Sequence, residues 1–68
     1  MGQPIQLEDC SACEAPGMLV QMWVYETEKG FEAVAECGHC KRLGPRTIDP
    51  ISERAALRAA ALWNADQN

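Results

Sequence analysis

Four cysteines stand in two pairs, Cys10-Ser11-Ala12-Cys13 and Cys37-Gly38-His39-Cys40, with 23 residues between them at positions 14 to 36. Thiolates are soft donors, and a Cys-x-x-Cys step suits a tight knuckle that offers two of them to one ion. Two facing knuckles complete the tetrahedral four-sulfur set that a structural zinc requires, with metal–sulfur bonds of about 2.3 Å. The expected metal ligands are therefore Cys10, Cys13, Cys37 and Cys40, holding one Zn2+. Four thiolates also suit iron, as in a rubredoxin-like site, and metal analysis separates the two. His39 is an alternative ligand in place of one cysteine, although four thiols already fill a tetrahedron.

The second pair supports a different chemistry as well. Glu36-Cys37-Gly38-His39-Cys40-Lys41 resembles the active site of protein disulfide isomerase, where the first cysteine at a helix N-terminus is the attacking thiolate. That resemblance implies thiol–disulfide exchange through Cys37 and Cys40. A thioredoxin-type fold, however, needs roughly a hundred residues. Here 28 residues follow Cys40, and they read as one loop and one helix. Gly44-Pro45 would stop a helix begun at Cys37, and the first cysteine pair would have no purpose.

The elements that must position the sulfurs are few. A single domain of 68 residues buries too little apolar surface to offset its ordering entropy easily, and a metal supplies what the core lacks. The expected fold is a small metal-stabilised α+β domain: a zinc ribbon, with two knuckles joined by a β-hairpin, followed by one C-terminal α-helix. Residues 1–6 are expected as a flexible lead-in and 65–68 as a flexible tail. Ala15-Pro16-Gly17 signals a turn, Met18 to Tyr25 a strand, and Glu26 to Gly30 a polar turn in which Gly30 is available for a positive φ or a bulge. In the return strand Phe31, Ala33 and Ala35 alternate with Glu32, Val34 and Glu36. Asp49-Pro50 is read as N-cap and first helical residue. The helix that follows should bury Ala55, Ala56, Ala59, Leu62 and Trp63 against the hairpin.

Charge is divided unevenly. Seven acids against one base up to Glu36 give −6, and five bases against three acids from Cys37 onward give +2. An acidic chain without a basic stripe does not favour general nucleic-acid binding. No secretory leader or membrane-length apolar run is read, so the expectation is a soluble, cytoplasmic protein. There is no His/Asp/Ser set, no paired carboxylates in an apolar setting and no phosphate-cradling glycine loop, so an enzyme is not expected.

From about Leu7 to Asn64 the chain resembles the Lar-type restriction alleviation proteins of phages and prophages. The resemblance rests on Cys10-x-x-Cys13, the acidic hairpin, Cys37-x-x-Cys40 with Gly44-Pro45 soon after, and an alanine-rich helix ending in Trp63-Asn64. It implies the same four metal cysteines, a redirecting turn at Gly44-Pro45, and Trp63-Asn64 as the helix-end anchor, with Asn64 bonding a backbone group of a knuckle loop. The family's knuckles carry glycine after the second cysteine. Glu14 and Lys41 occupy those places here, so either these residues are strained at a positive φ or the turn differs slightly from the family's.

The function so implied is modulation of a host type I restriction–modification system through protein–protein contact. Glu26, Glu28, Glu32 and Glu36 are the candidate partner-binding residues, facing a basic DNA-binding surface; the alternative is that they form only a solvated, aggregation-resistant face. A zinc-ribbon adaptor in transcription, replication or repair shares the same metal logic. The oligomeric state is not set by any of these features.

Overall fold

The computed structural model describes residues 7–67; the expected lead-in at 1–6 and the last residue of the expected tail lie outside them. A single 3-10 turn, Gly17–Leu19, leads into β1 (Val20–Thr27), which pairs antiparallel with β2 (Gly30–Cys37). A third strand, β3 (Thr47–Asp49), pairs antiparallel with β2, so the sheet order is β1-β2-β3. One helix, α1 (Ser52–Asp66), closes the domain. A three-stranded sheet with a C-terminal helix and four clustered cysteines is thus observed.

β1 and β2 form because β-branched and aromatic residues alternate about a two-residue turn. Gly30, directly after it, has φ 129°, and a Cβ there would lie 2.9 Å from the Asp49 carbonyl oxygen. The positive φ available to Gly30 is therefore present, with a second reason added: β3 ends against it.

Strand alternation assigns each residue to a face. Val20, Met22, Phe31, Ala33, Ala35 and Cys37 lie toward α1, where Ala33 packs with Ala55 and Ala59, and Ala35 with Trp63. Alanine on both sides of the interface lets the helix and sheet come close. Trp63 then supplies the bulk at one end, fully buried beside Cys10, Ala15, Val20 and Cys37.

Several sequence expectations are corrected. Residues 47–49 are a strand rather than a loop. Three residues cannot display a periodicity, and this strand exists because β2 offers a free edge. The helix begins at Ser52 with Ile51 at the N-cap position, so Asp49-Pro50 is not the cap. Asp49 instead ends β3, buried, and its carboxylate accepts the Ile51 N–H at 3.0 Å and an Arg58 guanidinium N–H at 3.4 Å. The buried helix face is Ala55, Ala59, Ala60 and Trp63. Leu62 is 40% exposed and Ala56 only partly covered. Val34, expected among the acids, is buried at the centre of the middle strand, opposite Trp23. The helix runs through 65 and 66, and Gln67 accepts the Ser11 N–H of the first knuckle.

Candidate metal centre

The two knuckles are built alike. In the first, the Glu14 N–H donates to the Cys10 carbonyl at 2.8 Å and the Cys10 N–H to the Ala15 carbonyl at 3.0 Å. In the second, the Lys41 N–H donates to the Cys37 carbonyl at 2.9 Å and the Cys37 N–H to the Arg42 carbonyl at 2.9 Å. Each loop needs a left-handed residue directly after its second cysteine. Glu14 has φ 61° and Lys41 φ 67°, the first of the two outcomes that the departures from glycine left open. A non-glycine residue held there costs roughly 1–3 kcal/mol and persists only where its surroundings over-determine it.

The knuckles reach the site from different elements. Cys37 is the last residue of β2, so the central strand fixes it directly. The second loop is pinned further by the Gly38 N–H to the Leu19 carbonyl and the Gly44 N–H to the Ala35 carbonyl, both at 2.8 Å. Gly44 passes beneath the indole: a Cβ there would meet Trp63 Cε3 at 3.0 Å. The first knuckle belongs to no strand and is held mainly by the end of α1. The Glu8 N–H donates to Asn64 Oδ1 at 2.8 Å, and Trp63 Nε1–H donates to the Glu8 carbonyl at 3.0 Å. Ser11 donates to Gln67 Oε1 through both its N–H (2.8 Å) and its hydroxyl (3.0 Å). Arg42 joins the knuckles to the helix end, with an Asp66 ion pair at 2.9 Å and a bond to the Ser11 hydroxyl at 3.3 Å. Asn64 therefore bonds a backbone group in the segment entering a knuckle. Gln67 and the Arg42–Asp66 pair carry no local sequence signal that would have found them.

All four sulfurs lie within 4.8 Å of one another. Across the two knuckles, Cys10 lies 3.7 Å from Cys40 and Cys13 lies 3.6 Å from Cys37. A tetrahedron with metal–sulfur bonds of about 2.3 Å has edges of about 3.8 Å, so these separations fit one shared cation. Cys10 and Cys37 are buried, Cys13 partly buried and Cys40 exposed. His39 is exposed; its contribution is a backbone N–H 3.4 Å from Cys37 Sγ, joined by that of Cys40 at 3.5 Å.

These amides set the ionisation of the cluster. The Cys40 N–H lowers the Cys37 thiol against the opposing effect of burial; with the His39 N–H assisting, it is brought down to about 6. At Cys10 burial is the largest influence and raises the thiol, yet the N–H groups of Cys13 and Ala12 with the neighbouring sulfurs outweigh it, and the net direction is down. Cys13 is pushed up to about 12 by burial and the surrounding thiols, only partly offset by the Ala15 N–H. Four sulfurs this close cannot all be anionic by themselves. A divalent cation at their centre removes that conflict, and the donor set and geometry suit one.

The four candidate partner-binding acids do not form one array. Glu32 and Glu36 lie on the sheet face away from α1, where Glu36 accepts the Trp23 indole N–H at 2.9 Å and Glu32 accepts the Tyr25 hydroxyl and Arg46. Glu26 is on the opposite sheet face, since it pairs with Phe31, and Glu28 lies in the turn. Among the described residues no helix is long and apolar enough to cross a membrane. No protein-family model, curated protein or solved structure matches the chain.

Proposed function

We propose that this chain is a zinc-stabilised interaction module, not an enzyme, that relieves host type I restriction by contacting a restriction–modification subunit. The observation that carries the metal part is the four sulfurs within 4.8 Å, delivered by two matching knuckles. A four-thiolate zinc has no open coordination position and is structural. It holds together a domain whose remaining surface is available for contact. The restriction target rests on the Lar-type resemblance at Cys10, Cys13, Cys37, Cys40, Gly44-Pro45 and Trp63-Asn64. Glu32 and Glu36 share one sheet face and are the pair proposed to meet a basic surface, which would have to draw Glu32 from Arg46 and Tyr25 and Glu36 from Trp23.

Metal analysis of the purified protein should give one zinc per chain, with loss of helix and sheet when a chelator strips it. In cells, expression should raise the plating of an unmodified phage on a restricting host, and Glu32→Lys with Glu36→Lys should abolish that rise while retaining zinc. Unchanged plating with the double variant removes the acidic face from the reading.

Exchange chemistry at Cys37 and Cys40 is the second reading, favoured by the lowered Cys37 thiol and the exposure of Cys40. The amides responsible equally stabilise a metal-bound thiolate. Turnover of a disulfide substrate by the protein as purified, with dithiothreitol as the reductant that regenerates the Cys37–Cys40 dithiol, would support exchange, and a rate no higher than that of dithiothreitol alone would remove it.

A further inference from the structure

The sheet has two edges, and they are treated differently. β3 has three residues, with Pro45-Arg46 just before it and Pro50 directly after, the usual protection against unwanted pairing. β1 has eight residues, and its register against β2 runs unbroken from Val20 to Thr27. It contains no proline and no lysine, and the six residues from Val20 to Tyr25 carry no charge. Among the described residues no other strand lies on its outer side.

Main-chain groups in an antiparallel ladder face the two neighbours alternately. The two-residue turn at 28–29 closes on the Thr27–Gly30 pair, so Thr27, Tyr25, Trp23 and Gln21 bond β2. Val20, Met22, Val24 and Glu26 thus direct their N–H and C=O groups to the open edge. The side chains there are also half-open, with Trp23 50%, Val24 39% and Tyr25 42% exposed.

We propose that β1 is a self-association edge that pairs antiparallel with β1 of a second copy about a two-fold axis at Val24, making one six-stranded sheet. That register sets Val24 against its own copy, Trp23 against Tyr25 of the other chain, and Met22 against Glu26. Cross-strand aromatic pairs of this kind stabilise a sheet, whereas like charges directly opposite destabilise it. The edge is neutral from Val20 to Tyr25, so it offers a basic segment no row of carboxylates, and an equally neutral second copy meets it with no two acids opposed: Glu26 faces Met22 and Glu28 faces Val20. The repulsion between two chains at −4 adds to the weakness of the pairing and is screened by salt. Glu32 and Glu36 lie one strand inward, bonded to Tyr25 and Trp23.

Such an edge, about 26 Å long, is a single-strand contact at the small end of specific interfaces, which begin at about 1,000 Å2. The dimer is accordingly weak and concentration-dependent. Sedimentation equilibrium of the metal-loaded protein tests it. Between about 10 μM and 1 mM, a range suited to weak association, the apparent mass should rise from 7.5 kDa toward twice that value. Val24→Lys, which puts two like charges on the axis, should stay monomeric while retaining its metal. As a measurement needing no variant, a mixture of isotope-labelled and unlabelled chains should show nuclear Overhauser contacts between Val24 methyls of different chains. A wild-type chain that stays monomeric at 1 mM, a Val24→Lys chain that dimerises equally, or contacts confined to other surfaces would overturn the proposal. The first of these would leave the edge to an extended segment of another protein. None of these results depends on the restriction target.

Discussion

Trp63 joins the cysteine cluster to the apolar core, and on the proposed zinc reading its replacement measures how much of the metal affinity is folding energy. The indole is fully buried against Cys10 and Cys37, and its Nε1–H bonds the Glu8 carbonyl at the entrance to the first knuckle. Truncating a buried Trp to Ala costs about 3–5 kcal/mol. A domain of this length has roughly 3–10 kcal/mol in total, at about 0.05–0.15 kcal/mol per residue. The metal-free chain is expected to be largely unfolded, so binding and folding are one equilibrium and the cost falls on apparent affinity. At about 1.4 kcal/mol per factor of ten, Trp63→Ala should weaken zinc binding about a hundredfold to several-thousandfold. Trp63→Phe keeps most of the ring and loses the Glu8 bond, which is worth about 1 kcal/mol, so its loss should be about tenfold or less. Competition against a chelator of known affinity, with circular dichroism recorded at each point, gives both numbers. A Trp63→Ala chain that binds zinc within threefold of wild type would refute the coupling, because the knuckles would then assemble without the core beneath them.

Asp49 gives a pH test. Its carboxyl is held below the usual aspartate value of 3.8 chiefly by the Ile51 N–H, against the opposing effect of burial, with Arg54 and Arg58 adding to the lowering. A depressed folded value means the stabilisation is full above 3.8 and is lost as pH falls through the lowered value. Asp49→Asn should therefore remove that part of the acid limb of a pH–stability curve, measured by thermal melts; an unchanged limb would show that Asp49 contributes nothing to it. Gly30→Ala should destabilise by about 1–3 kcal/mol, since φ 129° disfavours a side chain and the new Cβ meets the Asp49 carbonyl at 2.9 Å. Denaturant titration checks this, and a loss below about 0.5 kcal/mol would mean the turn relaxes freely.

The cluster of four cysteines able to hold a metal was legible in the chain itself because thiol chemistry and loop geometry are local. Two Cys-x-x-Cys steps identify Cys10, Cys13, Cys37 and Cys40 wherever the fold brings them, and the residue after each pair must turn left-handed, as Glu14 and Lys41 do. The hairpin and the burial of Trp63 were legible for a similar reason: alternation and turn chemistry act within a few residues. What pairing across the chain creates was not legible. Residues 47–49 became a strand only because β2 had a free edge, and that strand took Asp49 away from the helix cap. With Ala55 and Ala59 packed on Ala33, Ala60 rather than Leu62 is covered. The face of each acid followed from strand register, which separates Glu26 from Glu32 and Glu36. The clamp of Asn64, Gln67 and the Arg42–Asp66 pair on the first knuckle joins groups 24 to 56 positions apart. Side-chain chemistry declares itself residue by residue, whereas partners so distant in the chain are decided only when the tertiary structure brings them together.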